Sequence, residues 1–379
     1  MNSNPQAVWI NRPPQLLKLA AELSSCPRIA VDTESNGLYA YQEQVCLLQF
    51  STPNSDYLVD PLALHDLSAL GPLFADPKIE KVFHAAEYDI LCLKRDFGFR
   101  FAGLFDTMIA ARTLGRPQWG LGNLLASEFG VQLDKRFQRA NWGRRPIPPD
   151  MLAYAAHDTH YLLQLRDRLS AELDEKGLRP IAEEDFHRMC NIPAAPLEAT
   201  QHNCWSVAGG QDLTGQQAAI LQSLIEYRDR QARYANLPLF KIISNETLVQ
   251  IALAAPKTES DLAQIRGVGP NIFARHAGGL LEAVARGCEA RPLHPQRTQR
   301  PPDAFLRRLE LLRNWRKTTG REWGVESDVI LPRDVLEAIA SNNPQTPQAL
   351  AELMQDLPWR HAQFGEEILA LMDHHRRTT

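Results

Sequence analysis

"PRIAVDTESNGL", residues 27–38, sets two carboxylates, Asp32 and Glu34, at the exit of an apolar run formed by Ile29, Ala30 and Val31. A short apolar run bounded by polar residues predicts a buried strand. Side chains at i and i+2 of a strand share a face, so the two acids stand side by side where the strand leaves the core. Like charges held that way each raise the other's pKa unless a cation lies between them. Turn capping by Asp32, solvation of Glu34 and a turn closed by Gly37 would explain the pair taken alone. Only further acids placed suitably downstream give it a chemical purpose.

Working outward from that strand, "VCLLQFST" and "DYLVD" predict two more strands and "KVFHAA" a fourth. Helical patterns lie between and after them: "LSALGPLFAD", "EYDILCLKRDFG" ending at Gly98, "FDTMIAARTLG" with Asp106 placed to cap it, and "LGNLLASEFG". A long helix is expected from Asp150, after Pro148-Pro149, to Gly177. Strands with interspersed helices imply an α/β layer fold containing an antiparallel hairpin. From about 181 to 211 the periodicity fades, and a linker or docking segment is expected. Beyond 212 only helical patterns occur. There Pro256, Leu262 and Leu280 recur 88 residues later as Pro344, Leu350 and Ile368. "ETLVQIALAAPKTESDLAQI" aligns with "RDVLEAIASNNPQTPQALAEL" if one residue is inserted, so two similar helical modules are expected.

The 379-residue chain has a formal net charge of -4, which argues against one uniformly basic nucleic-acid surface. Residues 286–321 are the exception, with 10 Lys and Arg against 3 Asp and Glu. That stretch is either a polyanion contact or a solvated linker. Six cysteines without a C-x-x-C pair favour reduced thiols over a disulfide frame or a zinc site. No basic-then-apolar leader and no apolar run of membrane-spanning length is evident, and the expectation is a cytoplasmic protein without a membrane partner.

Two later acids answer the question raised by the first pair. Asp89 comes early in the helix after "KVFHAA", and Asp158 follows Tyr154 by four residues in "YAAHDTHYLL", one turn along the same helical face. Singly, each has a plain structural explanation. In order, D-x-E, then Asp, then Y-x-x-x-D resembles the three motifs of the DEDD superfamily of 3′–5′ exonucleases, tyrosine subgroup. The histidine subgroup would place His where Ala153 stands, and His157 is on another face. "FDTMIAARTLG", "GLGNLLASEFGVQLDK" and "NWGRRPIPPDMLAYAAHDTHYLLQL" are similar to ribonuclease D, and "LTGQQAAILQSLIEYRDRQARYANLPLFKI" with its continuation resembles the HRDC domain.

The resemblance implies an α/β exonuclease domain of ribonuclease H-like type, a mixed sheet flanked by helices, followed by two all-α HRDC-type modules. The expected boundaries are 1–180 for the exonuclease domain, 181–211 for a linker, 212–290 for the first HRDC domain, 291–300 for a basic linker and 301–379 for the second HRDC-like domain. It further implies two divalent ions, Mg²⁺ or Mn²⁺, held by Asp32, Glu34, Asp89 and Asp158, with Tyr154 orienting the attacking water. The implied substrate is RNA with a free 3′-hydroxyl, tRNA precursors among them, and the implied products are 5′-mononucleotides.

Candidate RNA contacts are Lys135, Arg136, Arg139, Trp142, Arg144 and Arg145 in "LDKRFQRANWGRR", with Phe137 and Trp142 able to stack bases. His84 is a structural or substrate-proximal residue. Gly267 and Gly269 could offer backbone N–H groups to a phosphate, although a lone G-x-G is a weak signal and a plain helix–helix turn is the better explanation. The second module has Gln355-Asp356-Leu357 at those positions, so a chiefly structural or docking role is expected of it. A monomer is expected. A DNA exonuclease of the same superfamily and a non-catalytic RNA-binding protein of the same fold are the alternatives. A helicase is excluded because no G-x-x-x-x-G-K-[ST] loop occurs.

Overall fold

The computed structural model describes residues 7–194, 203–295 and 300–377. The chain divides into two compact units, one of residues 1–34, 45–195 and 300–379, the other of 35–44 and 196–299.

The first unit begins β1 (Val8–Ile10), α1 (Pro13–Ser24), β2 (Arg28–Ser35), β3 (Val45–Ser51) and β4 (Asp56–Val59). Short helices α2 (Pro61–Leu64) and α3 (Gly71–Ala75) lead to β5 (Glu80–Phe83), α4 (Glu87–Phe97), β6 (Leu104–Asp106) and α5 (Thr107–Thr113). Then come α6 (Leu121–Phe129), α7 (Pro149–His160), α8 (Leu162–Glu175) and α9 (Arg179–Cys190). The strands form one mixed sheet ordered β1-β4-β3-β2-β5-β6, with β1 parallel to β4, β5 parallel to both β2 and β6, and β3 antiparallel to β4. Strand β2 lies inside the sheet, and Ile29, Ala30 and Val31 are fully buried. Its pairing with β5 runs from Arg28↔Glu80 to Ala30↔Val82, so Asp32 and Glu34 sit beyond that ladder. Helix α4 stops at Gly98, whose φ of 67° is the left-handed cap conformation.

Several expectations need correction. Strand β1, three residues long, carries too little periodicity to show in the sequence. "LSALGPLFAD" is a single 3-10 turn, Ser68–Leu70, followed by α3. "FDTMIAARTLG" starts as β6 and becomes helical only at Thr107, after the cap Asp106. The long helix breaks at Tyr161, where the end of α7 is tied to the β3–β4 hairpin: the Ser51 hydroxyl bonds Asp56 and Thr159, and His160 Nδ1 lies 2.8 Å from Asp56. The linker expected from 181 is helical through Cys190, because Ile181, Ala182, Phe186 and Cys190 form a buried face on α9 and Pro180 occupies a first-turn position that needs no N–H. Residues 195–202 of that linker lie outside the described residues, and 203–212 contain two 3-10 turns.

The second unit contains α10 (Gly215–Ala235), α11 (Leu239–Ile242), α12 (Asn245–Ala254), α13 (Glu259–Ala263) and α14 (Pro270–Glu289). Helix α10 opens with a reciprocal cap between Thr214 and Gln217. It approaches α14 so closely at Gly287 that a Cβ there would stand 2.4 Å from the Ile220 Cα. The 35–44 loop belongs to this unit: the Tyr41 hydroxyl donates to Asp229 at 2.6 Å, and Lys241 sits 4.0 Å from the Tyr39 ring centre.

The rest of the first unit is α15 (Asp303–Trp323), α16 (Ser327–Ile330), α17 (Arg333–Asn342), α18 (Pro347–Leu353) and α19 (Pro358–Arg377). Each begins 88 residues after its counterpart among α10–α14, so no inserted residue is needed. The two modules nevertheless fall in different units, because the second is joined to the exonuclease region. Arg360, fully buried on α19, donates to Glu184 at 2.9 Å and Asp185 at 2.7 Å on α9, and to the Val329 carbonyl. Arg112 on α5 pairs with Glu326 and Asp328. The basic stretch 286–321 is spent partly inside this module, where Arg308 donates to the Ala340 carbonyl and Arg316 to that of Leu331. Its residues 296–299 lie outside the described residues.

Candidate active site

A cleft of about 510 Å³ opens where β2 leaves the sheet. Asp32, Thr33 and Glu34 from β2, His84 after β5, Gly120–Asn123 at the start of α6, Lys135 and Gln138 from the following loop, and Tyr154 and Asp158 from α7 line it. Helix α7 is held over the sheet by an apolar layer of Cys46, Leu47, Leu58, Trp142, Ile147, Met151 and Ala155. With Ala155 facing inward, Tyr154 and Asp158, four residues apart on another face, are left lining the cleft.

The four acids repel one another. Burial raises the pKa of Asp32 well above the carboxylate range, and Asp158 raises it further. Glu34 is pushed up by burial and then by Asp32, Asp158 and Asp89 in turn. Burial brings Asp158 to about 7. Asp89 is raised by burial and by Asp32. It stands behind the cleft wall, 7% exposed, with its carboxylate accepting the Thr33 hydroxyl proton. Burial leads every one of these shifts, and the charges that add to those of Asp32, Glu34 and Asp89 are carboxylates. Yet among the described residues no three His, Cys, Asp or Glu side chains are set to close on one ion. Three of the four expected ligands therefore share the cleft wall, and the fourth is turned into its support. An all-oxygen, acidic, mutually repelling donor set suits a hard divalent cation.

Tyr154 is gripped on two sides. The Phe137 ring meets it edge-on at 5.7 Å, and the Trp142 ring lies 6.1 Å away. Burial and the nearby carboxylates raise the phenol pKa, so the group keeps its proton.

The expected RNA contacts separate into two sets. Trp142 is 1% exposed and is no stacking platform; its ring packs beneath Tyr154. Arg145 is used internally, donating to both Asp60 oxygens and to the Cys46 and Trp142 carbonyls. Lys135, Arg136, Arg139 and Arg144 are exposed, and Lys135 lines the cleft. Arg136 pairs with Asp134 across two residues. Gly267 has φ of 98°, and a Cβ there would meet the Thr247 hydroxyl oxygen at 2.3 Å, so a tight turn accounts for it. Gly269 caps α14 ahead of Pro270.

Two supports of the site join residues far apart in the chain. Asp106 does more than cap α5: it also accepts from the N–H groups of Ala85 and Ala86, fixing the left-handed Ala85 (φ 62°) that turns the chain from His84 into α4 and Asp89. Thr33, the unremarked middle residue of D-x-E, holds Asp89. Only the capping half of Asp106's role was local enough to read from the sequence.

Residues 7–174 match the 3′–5′ exonuclease family, and residues 217–284 and 305–372 each match the HRDC domain. A ribonuclease D of Sphingobium indicum is 31% identical across 94% of this chain and 92% of its own. That of Gluconacetobacter diazotrophicus is 29% identical across 97% and 93%. The crystal structure of Escherichia coli RNase D, described as an exoribonuclease involved in structured RNA processing, superposes with a TM-score of 0.70 at 25% identity over 97% of this chain and 99% of that one. Exonucleases of the DEDD type generally depend on divalent metal ions. No helix among the described residues is long and apolar enough to cross a membrane.

Proposed function

The chain belongs to the ribonuclease D family and is a 3′–5′ exoribonuclease, and on that footing we propose that it trims the 3′ ends of tRNA precursors and other stable RNAs, releasing 5′-mononucleotides singly. The observation that carries this reading is the cleft at the end of β2, where acids from β2 and α7 face each other, and burial together with their acidic neighbours holds their pKa values up.

Two divalent ions, Mg²⁺ or Mn²⁺, would supply an activated water, neutralise phosphate charge and stabilise the leaving oxygen. Asp32, Glu34 and Asp158 would hold these ions, with Asp89 in support directly or through water. Tyr154, fully protonated, orients the attacking water by hydrogen bond and is too weak an acid to serve as its base. Its rigid seat against Phe137 and Trp142 keeps that bond directed. Lys135, with Arg136, Arg139 and Arg144 on the same loop, draws in the RNA backbone, so binding weakens as salt rises. The second HRDC module, joined to the exonuclease region through Arg360, acts as a fixed support. Six cysteines free of disulfides suit a reducing compartment, and we place the protein in the cytoplasm.

The test is a tRNA carrying a few extra 3′ nucleotides. Shortening to the mature end that stops in EDTA and resumes with Mg²⁺ or Mn²⁺ is expected. An untouched tRNA beside a degraded matched DNA strand would favour the DNA exonuclease, and no cleavage of either would favour the non-catalytic reading.

A further inference from the structure

His84 sits where β5 ends and lines the cleft beside Asp32, Glu34, Tyr154 and Asp158. Its ring is oriented from behind. The Thr107 hydroxyl donates its one proton to the Phe83 carbonyl at 3.0 Å, and the same oxygen lies 2.9 Å from His84 Nδ1. With its proton spent, that hydroxyl can only accept from the ring, so Nδ1 carries the proton. Burial favours the neutral ring against the nearby charge of Asp106. In neutral imidazole protonated at Nδ1, Nε2 keeps its lone pair and is an acceptor only. Among the described residues its one hydrogen bond is through Nδ1. Thr107 is fully buried, and the turn after His84 is locked by Asp106, so ring and tautomer are set before substrate arrives.

An acceptor of this kind turns phosphate oxygens away and takes a hydroxyl or amine donor. Base amines differ from one nucleotide to the next, which makes them unsuitable for an enzyme that must remove successive residues of any sequence. The 3′-hydroxyl is shared by RNA and DNA ends. The 2′-hydroxyl is the donor that every RNA nucleotide carries and no DNA nucleotide has. We infer that His84 is a specificity-determining residue: its Nε2 accepts a hydrogen bond from the 2′-hydroxyl of the terminal ribose, and through it the site prefers RNA to DNA. This rests on the exoribonuclease reading of the cleft and supplies the sugar discrimination that the carboxylate motifs do not encode.

The experiment compares wild type, His84→Ala and His84→Gln on three oligomers: all-RNA, the same RNA with one 2′-deoxy nucleotide at its 3′ end, and the same RNA with a 3′-deoxy end. His84→Ala is expected to lower kcat/KM on all-RNA by about two- to tenfold, the range for one neutral hydrogen bond. Wild type should lose a similar factor on the 2′-deoxy end, where the Ala variant should lose nothing more. His84→Gln, which returns an amide oxygen near the position of Nε2, should recover part of the all-RNA rate; melting curves establish that both variants fold. An equal loss from His84→Ala on all-RNA and on the 2′-deoxy end overturns the inference and leaves a structural role. A loss cancelled only by the 3′-deoxy end overturns it in favour of the other hydroxyl. Wild type inactive on every RNA would instead sink the exoribonuclease reading of the cleft itself.

Discussion

Two groups of buried carboxylates occupy the first unit, and they are handled in opposite ways. On α9, Glu184 and Asp185 lie against the guanidinium of Arg360; burial raises both carboxyl pKa values and Arg360 pulls them back. Glu184 also accepts from the backbone N–H groups of Trp359 and Arg360 at the start of α19. In the cleft, burial raises Asp32 and Glu34 and their acidic neighbours raise them further. The first group has its cation built into the chain and is a structural joint. The second is shifted by burial and by its own members, and on the metal-dependent reading proposed above its cations come from solution. Lys81 is the mirror case: a fully buried cation on β5 that donates to the Asp76 carbonyl at 2.6 Å and has its pKa pushed down to about 8 by burial.

Removing charge from the two carboxylate groups should therefore have opposite consequences. The largest effect is expected in the cleft: Asp32→Asn should lower kcat by about a thousandfold or more, since metal-based charge stabilisation contributes several kcal/mol. In chelator the same variant should melt no earlier than wild type, because one of several repelling acids is gone. A variant with full activity, or one that unfolds without metal, would erase the distinction between the two groups.

At the joint, Arg360→Ala leaves two acids without their cation and should cost about 3–5 kcal/mol of stability, read by urea titration. Adding Glu184→Gln and Asp185→Asn should return part of that loss. Equal stability of the single and triple variants would show that Arg360 acts by packing alone.

The smallest effect is expected at Lys81. Its folded pKa, about 8, lies below the ordinary 10.5. The folded state thus sheds the proton that the unfolded chain keeps, and stability rises between those two pH values. Lys81→Met should gain about 1–3 kcal/mol at pH 7, and that gain should shrink as the pH climbs past 8 toward 10.5. A gain that does not change with pH would trace to packing.

What could be read along the chain was whatever is encoded within a few residues. Gly98 and Asp106 marked helix ends because capping acts within one turn. The paired spacing of Tyr154 and Asp158 put them on one face because 3.6 residues make a turn. The order of D-x-E, Asp and Y-x-x-x-D, and the 88-residue repeat, are likewise properties of the linear string; every repeated helix start keeps that offset, and the D-x-E and Y-x-x-x-D side chains line one cleft while Asp89 stands behind it. Trp142 and Arg145 were misjudged for the complementary reason. An aromatic and an arginine in a basic loop look like a nucleic-acid surface until the sheet brings Tyr154 and Asp60 against them.

From the sequence alone came the chemical inventory of this protein: which acids, which phenol, which helices repeat. The pairing of Arg360 with residues 175 and 176 positions away, the Thr33 hydroxyl on Asp89, the Thr107 hydroxyl against Nδ1 of His84 and the placing of the two HRDC modules in separate units came only with the tertiary structure. Local rules reach a turn of helix or a step of strand. Burial, pKa and hydrogen-bond direction depend on which distant neighbours fill the space around a group, and the folded chain alone supplies those.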